Sequence, residues 1–272
     1  MDLYGVIGYP IGHSLSPQIH QRAFQQGGRS ALYVGLAVRP EELSATLERM
    51  WQEPWQGFNV TVPHKESVIG FLAGLSDQAR ALGAVNVVVR RPNGWYGANT
   101  DLEGFLATLP IRPERALVLG AGGAARAVVG GLQSLGCAVT CSTRNPARLS
   151  RLVDQTKVQG VAWDDRHRML DALDLLVNAT PVGQAPDAGV MPLDHLDGLG
   201  ASTWVYDLVY RPSPTKLLRE AAARGLKTVS GVAMLAAQAA LSWELWFGEH
   251  GPELEFLAHL RLLVEEEAKS AS

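Results

Sequence analysis

Along the first hundred residues, short runs that alternate apolar and polar positions exchange with longer amphipathic stretches, as strands exchange with helices. Residues 3–8 and 32–38 read as strands, and 41–51 as a helix entered through Pro40. Phe58, Val60 and Val62 alternate with Asn59 and Thr61, which predicts a third strand. Pro63 then suits the first position of a helix over 66–73. Ser16 reads as the N-cap of an earlier helix starting near Pro17. A helix over 77–82 leads to the apolar run 87–90, a turn at Pro92-Asn93-Gly94 and a return strand, which is a hairpin signal. Thr100 and Glu103 have capping-box spacing, so Asp101 is expected in the first turn of the next helix, where the dipole favours a carboxylate. Strand and helix in alternation predict an α/β fold with a mainly parallel sheet.

After Pro110-Ile111-Arg112-Pro113 the texture changes. The strand 115–119 runs directly into Gly120-Ala121-Gly122-Gly123-Ala124-Ala125 and a helix of small residues, a G-x-G-x-x-A turn in the strand-to-helix context of a dinucleotide site. Gly120 permits the tight turn, Gly122 lets backbone approach a pyrophosphate, and Ala125 keeps the helix close to the sheet. The next strand, 138–142, ends at Thr143-Arg144-Asn145-Pro146-Ala147-Arg148. An NAD site normally places an Asp or Glu here; instead Arg144 and Arg148 bracket a helix start capped by Asn145, which suits a 2′-phosphate and predicts NADP. Further strands at 173–178, 204–209 and 225–229, with a helix over 214–224, complete a second α/β region. From Val232 onward the chain reads as helical and apolar, and this tail is expected to pack back onto the first region. Glu265-Glu266-Glu267 reads as a solvated helix face.

Composition narrows the function classes. A chain of 272 residues, 47% hydrophobic and 19% charged, accommodates two moderate domains. A net charge of -3 and a pI near 6.2 provide no general attraction to nucleic acid or to an anionic membrane. Neither a signal-peptide pattern nor a bilayer-length apolar run is present, so a cytoplasmic location is expected, and the acceptor patterns at Asn59 and Asn178 are not read as glycosylation sites. Cys137 and Cys141 lie four apart in a strand-like run and read as buried thiols rather than a disulfide. Lys65, placed at the predicted helix start after Pro63, faces the positive end of a helix dipole; that lowers its pKa and makes it a candidate proton carrier. Lys65 and Asp101 thus occupy equivalent positions at two expected helix starts.

Taken together, Ser14-Leu15-Ser16-Pro17, Asn59-Val60-Thr61-Val62-Pro63-His64-Lys65, Gly83-Ala84-Val85-Asn86, Asn99-Thr100-Asp101, the glycine turn and Gln238 resemble the shikimate dehydrogenase family over nearly the whole chain. The resemblance implies NADP-dependent, reversible reduction of 3-dehydroshikimate to shikimate. It implies a substrate domain formed by 1–104 with 232–272, a Rossmann-like NADP domain over 105–231, and an active site in the cleft between them. Lys65 and Asp101 match the catalytic pair. Ser14 and Ser16 match the groups that hold the substrate carboxylate; Thr61, Asn86, Asp101 and Gln238 match those that bind ring hydroxyls, and Tyr210 matches a further substrate contact. On the cofactor side the resemblance picks out Gly120, Ala121, Gly122, Gly123, Ala124, Thr143, Arg144 and Arg148, with Leu208 and Gly231 beside the nicotinamide and Asp77 at an acidic position associated with cofactor binding. Thr143 departs from the asparagine common at its position but keeps one hydrogen-bond donor. His13, His20 and His64 receive no catalytic role, and no His/Cys spacing suggests a metal. The partners implied are a small-molecule substrate, neither nucleic acid nor membrane, and a monomer or homodimer. Two other readings share these residues: a quinate/shikimate dehydrogenase of relaxed specificity, and a non-catalytic NADP-binding regulator.

Overall fold

The computed structural model describes residues 1–12, 14–248, Leu262 and Glu266. His13, Glu265 and Glu267 therefore lie outside the described residues, while Glu266 is helical and exposed, 3.9 Å from Arg22. The described residues pack as two compact units, Met1–Thr100 with 236–248, Leu262 and Glu266, and Asp101–Leu235.

The first unit runs β1 (Asp2–Gly8), α1 (Ser16–Gln26), β2 (Ala31–Ala37), α2 (Leu43–Gln52), β3 (Gly57–Val60), β4 (Gly74–Leu75), α3 (Asp77–Leu82), β5 (Val87–Arg91) and β6 (Gly94–Ala98). Its six-stranded sheet has the order β2-β1-β3-β5-β6-β4. β1 lies parallel to β2 and β3, and β4 parallel to β6; the hairpin β5–β6 brings in the antiparallel pairings. Period-two alternation distributes side chains to two faces. Ile7, Phe58, Val60 and Val88 join Leu43, Leu47 and Met50 of α2 in one core, and Asn59 between them belongs to the other face. Three local expectations are corrected. The helix after Pro40 begins as a 3-10 turn over Pro40–Glu42, closed by Glu42 accepting from the Arg39 N–H at 3.0 Å. No α-helix covers 66–73; a 3-10 helix spans Ser67–Phe71 and is followed by β4, a two-residue strand. Ser16 is not the N-cap of α1: Leu15 holds that position, and Ser14 Oγ accepts from the Ser16 N–H at 3.3 Å.

The second unit continues with α4 (Asp101–Thr108), β7 (Arg115–Leu119), α5 (Gly123–Ser134), β8 (Ala138–Thr143), α6 (Pro146–Thr156), β9 (Gln159–Ala162), β10 (Leu175–Asn178), β11 (Trp204–Asp207), α7 (Lys216–Ala223) and β12 (Lys227–Ser230). Its sheet is parallel throughout, in the order β12-β11-β10-β7-β8-β9, the doubly wound order with its reversal point between β7 and β10. Alternation along the strands produces two cores. Ala116, Val118, Leu175 and Val177 pack with Val128 and Leu132 of α5, whereas Leu117, Leu119 and Leu176 pack with Leu217 and Leu218 of α7. Cys137 and Cys141 are free, buried thiols, and burial pushes Cys141 up to about 12.

Helix α8 (Gly231–Phe247) is apolar around its circumference, as a helix is that is covered on most sides. Its final turns join the first unit through rings. Trp243 meets Phe24 at 5.3 Å, Trp246 meets Tyr4 at 5.0 Å, and the Trp246 indole N–H donates to the Val88 carbonyl at 3.1 Å. Among the described residues no helix is long and apolar enough to cross a membrane.

Candidate active site

In the first unit, the loop between β3 and the 3-10 helix is framed by one neighbouring segment. Val60 N–H donates to the Asn86 carbonyl at 2.9 Å, and Val85 N–H donates to the Lys65 carbonyl at 2.8 Å. The Val85–Asn86 segment thus holds the loop at Val60 and at Lys65, while the Thr61 N–H donates to the Ile7 carbonyl of β1 at 2.9 Å. His64, fully buried between them, pins the loop from its other side, its Nε2 lying 2.6 Å from the Val38 carbonyl. The local signal for a helix after Pro63 is overridden because the Lys65 carbonyl, which a helix would offer to the Ile69 N–H, accepts from Val85, and the Ile69 N–H goes to the Glu66 carbonyl at 3.3 Å instead. Lys65 sits half-buried in that turn. The dipole argument consequently does not apply to Lys65. It applies to Asp101, which opens α4 and is 2% exposed.

Asn86 and Gln238 come together. Asn86 Nδ2 lies 3.3 Å from Gln238 Oε1 and 3.0 Å from Thr100 Oγ1, and Asn86 Oδ1 accepts from the Thr100 N–H at 2.8 Å. Ser14 and Ser16 are joined by the bond already described, and both are half-buried. Asp77 lies exposed in the first turn of α3, a helix capped by Ser76, which accepts from the Ala79 N–H at 3.1 Å. Sequence reasoning gave no task to Tyr33 or Ser242 and left Asn59 to a motif. The Asn59 carboxamide is the hub between β3 and α8, accepting from the Tyr33 hydroxyl at 2.7 Å and donating to Ser242 Oγ at 3.0 Å and to the Asn86 carbonyl at 3.2 Å.

In the second unit the glycine turn stands where the strand order reverses, between β7 and β10. Gly120 has φ of +127°, and a Cβ there would come within 2.8 Å of the Ala179 carbonyl oxygen, so only glycine fits. At Gly122, the N-cap of α5, a Cβ would meet nothing within 4 Å. The absent side chain leaves room for a ligand in front of the α5 N-terminus, whose N–H groups suit phosphate oxygens. Ala121 and Ala125 are buried against the sheet. At the end of β8, Thr143 is half-buried and Arg144 and Arg148 are exposed, with no acidic side chain paired to either guanidinium among the described residues. Asn145 caps α6 by accepting from the Arg148 N–H at 3.1 Å. This donor set, cations without an acid, fits the 2′-phosphate of NADP and lacks the carboxylate that a bare ribose would need.

Leu208 and Gly231 are also brought together: a Cβ on Gly231 would overlap the Leu208 carbonyl, so this crossing of β11's end and α8's start requires glycine. Beneath it, Asp207 is fully buried and accepts from Asn178 Nδ2 at 2.9 Å, from Val209 N–H at 3.0 Å and from Thr215 Oγ1 at 2.6 Å. Burial outweighs those three donors and pushes the Asp207 carboxyl up to about 6. Tyr210, two residues beyond Leu208, is half-buried. Among the described residues no group of His, Cys, Asp and Glu is arranged to hold a metal ion.

Residues 6–88 match the sequence model of the shikimate dehydrogenase substrate binding domain. A shikimate dehydrogenase (NADP(+)) of Thermosynechococcus vestitus is 43% identical over 264 residues, covering 92% of both chains. Among solved structures, shikimate 5-dehydrogenase from Thermus thermophilus, crystallised with NADP(H) and shikimate, superposes with a TM-score of 0.86 at 35% identity, covering 98% of this chain and 99% of that one. A chorismate mutase/shikimate 5-dehydrogenase fusion protein from Clostridium acetobutylicum reaches a TM-score of 0.89 at 32% identity over 99% of both chains. With strand order, glycine turn and Asn86–Gln238 pair in place, the chain belongs to the shikimate dehydrogenase family.

Proposed function

We propose that the protein catalyses the reversible, NADP-dependent reduction of 3-dehydroshikimate to shikimate. The observation that carries this reading is the frame that ties Val60 and Lys65 to the Val85–Asn86 segment, and Thr61 to Ile7 of β1, while setting the Asn86 carboxamide against Gln238. Short polar groups held this way recognise hydroxyls on a small rigid ring. Ser14 and Ser16 take the ring carboxylate, and Thr61, Asn86, Asp101 and Gln238 take ring hydroxyls, with Tyr210 as a further contact. Lys65 receives the hydroxyl proton as the alcohol is oxidised and returns it when the ketone is reduced. Bound NADP supplies the acceptor or donor of the hydride.

The glycine turn of Gly120, Ala121, Gly122, Gly123 and Ala124 receives the pyrophosphate, Thr143, Arg144 and Arg148 the 2′-phosphate, and Leu208 and Gly231 border the nicotinamide side; Asp77 is kept as a cofactor-associated candidate. The enzyme is expected to act in the cytoplasm as a monomer or homodimer, which sedimentation of the purified protein distinguishes.

The test is the near-ultraviolet absorbance of reduced nicotinamide. NADPH should form from NADP and shikimate. Faster turnover with quinate and NAD would replace this reading by one of a quinate enzyme, and NADP binding without turnover of either acid would make the protein a non-catalytic binder.

A further inference from the structure

Three candidate substrate groups, Ser16, Asn86 and Gln238, come from sequence positions far apart, yet one partly buried chain of hydrogen bonds reaches all of them. Its centre is Asn59. The Tyr33 hydroxyl donates to Asn59 Oδ1 at 2.7 Å and is itself hydrogen-bonded by Ser16. Asn59 Nδ2 donates to the Asn86 carbonyl at 3.2 Å and to Ser242 Oγ at 3.0 Å, and Ser242 Oγ donates in turn to the Gln238 carbonyl at 2.8 Å, one helical turn back along α8. Both N–H groups and the carbonyl oxygen of the Asn59 carboxamide are thereby engaged in a single orientation. Tyr33 is 3% exposed and Ser242 0%. In such a site a lost partner leaves a buried polar group unsatisfied, so each member is costly to remove. The phenol is fixed further: His20 stacks on it with centroids 4.5 Å apart, and burial holds Tyr33 well above the usual phenol range, so the O–H that Asn59 requires stays in place.

We propose that Tyr33 and Ser242 are positioning residues for substrate recognition. Through Asn59 they set the rotation and depth of α8 relative to β3, and so the meeting of Gln238 Oε1 with Asn86 Nδ2. The proposal deepens the shikimate reading and rests on it for the identity of the ligand. Ser242 is well suited to the task, because its hydroxyl both accepts from β3 and donates within α8, which a methyl group cannot do.

The test compares Tyr33→Phe, Ser242→Ala and Ser242→Thr. Tyr33→Phe and Ser242→Ala should raise the KM for shikimate about tenfold while the KM for NADP stays within about twofold, and Ser242→Thr, which keeps the hydroxyl, should restore most of the loss. In isotope-labelled protein without ligand, the side-chain amide signals of Asn86 and Gln238 should shift in Tyr33→Phe and Ser242→Ala and remain near their wild-type positions in Ser242→Thr. Unshifted amide signals in the first two variants overturn the proposal, as does a shikimate KM equal to wild type. If wild-type protein does not oxidise shikimate, the functional reading falls by itself, and the amide signals still decide whether Tyr33 and Ser242 place these two groups.

Discussion

Asn178 and Asp207 face each other across the neighbouring strands β10 and β11, and the Asn178 carboxamide donates to the buried carboxylate at 2.9 Å. Burial raises Asp207 from 3.8 to about 6. The folded state therefore binds a proton more tightly than the unfolded chain. Its contribution to stability is fully present below about pH 4 and is lost as pH rises through about 6, a span of about 3 kcal/mol at most. In Asp207→Asn this dependence should vanish. Denaturant unfolding of both proteins at several pH values should show wild type losing ground to the variant between pH 4 and 7, and parallel curves would count against the assignment.

Lys65 carries the proton work in the proposed reaction. Lys65→Ala should lower kcat by about 10²–10⁴-fold, the usual contribution of a positioned acid or base. NADP affinity, measured by titration, should hardly change, because the cofactor groups come from other segments. A variant that keeps its turnover would remove Lys65 from the mechanism.

Arg144 and Arg148 stand exposed at the end of β8, with no acid paired to either among the described residues. Replacing either by Ala should raise the KM for NADP about tenfold and leave the KM for NAD nearly unchanged. Because both groups are in water, the effect should shrink as salt is added. Equal losses with the two cofactors would place the 2′-phosphate elsewhere.

Two glycines of one turn should respond in opposite ways. Gly120→Ala forces an L-residue to φ of +127° against the Ala179 carbonyl and should cost about 2–3 kcal/mol of stability. Gly122→Ala meets no protein atom within 4 Å and should leave thermal unfolding almost unchanged, yet weaken NADP binding by filling the space in front of α5. Calorimetry with and without NADP separates the two effects.

Much of the architecture is legible in the chain because it is carried by local periodicity. Phe58 and Val60 alternate with Asn59 and enter the core as a strand should, the hairpin at Pro92-Asn93-Gly94 forms, and Gly120 marks the turn at the sheet's reversal point. Local rules fail where distant groups compete for the same backbone. Pro63 and Lys65 look like a helix start, but Val85 and Val38 claim the carbonyl of Lys65 and the ring of His64. Ser16 looks like a cap, but Leu15 takes that position and the Ser16 side chain goes to Tyr33. The strand β4 is missed because two residues show no period, and β9 because its sequence, Gln159-Gly160-Val161-Ala162, is largely exposed and has no apolar alternation. Motifs pick out Asn86 and Gln238 separately. Their meeting depends on Ser242 reaching Asn59 across 183 residues of sequence, a separation at which no spacing rule applies.

The return of α8 to the first unit also decides the order in which the protein is completed during synthesis. Tyr4, Phe24 and Tyr33 leave the ribosome early, but the rings that cover them, Trp243 and Trp246, follow only after β12. The parallel sheet of the second unit holds all its strands by then and can close first. The unit begun first is thus finished after the second, and a nascent chain stalled before α8 should expose its aromatic face to chaperones and proteases while the second unit is already folded.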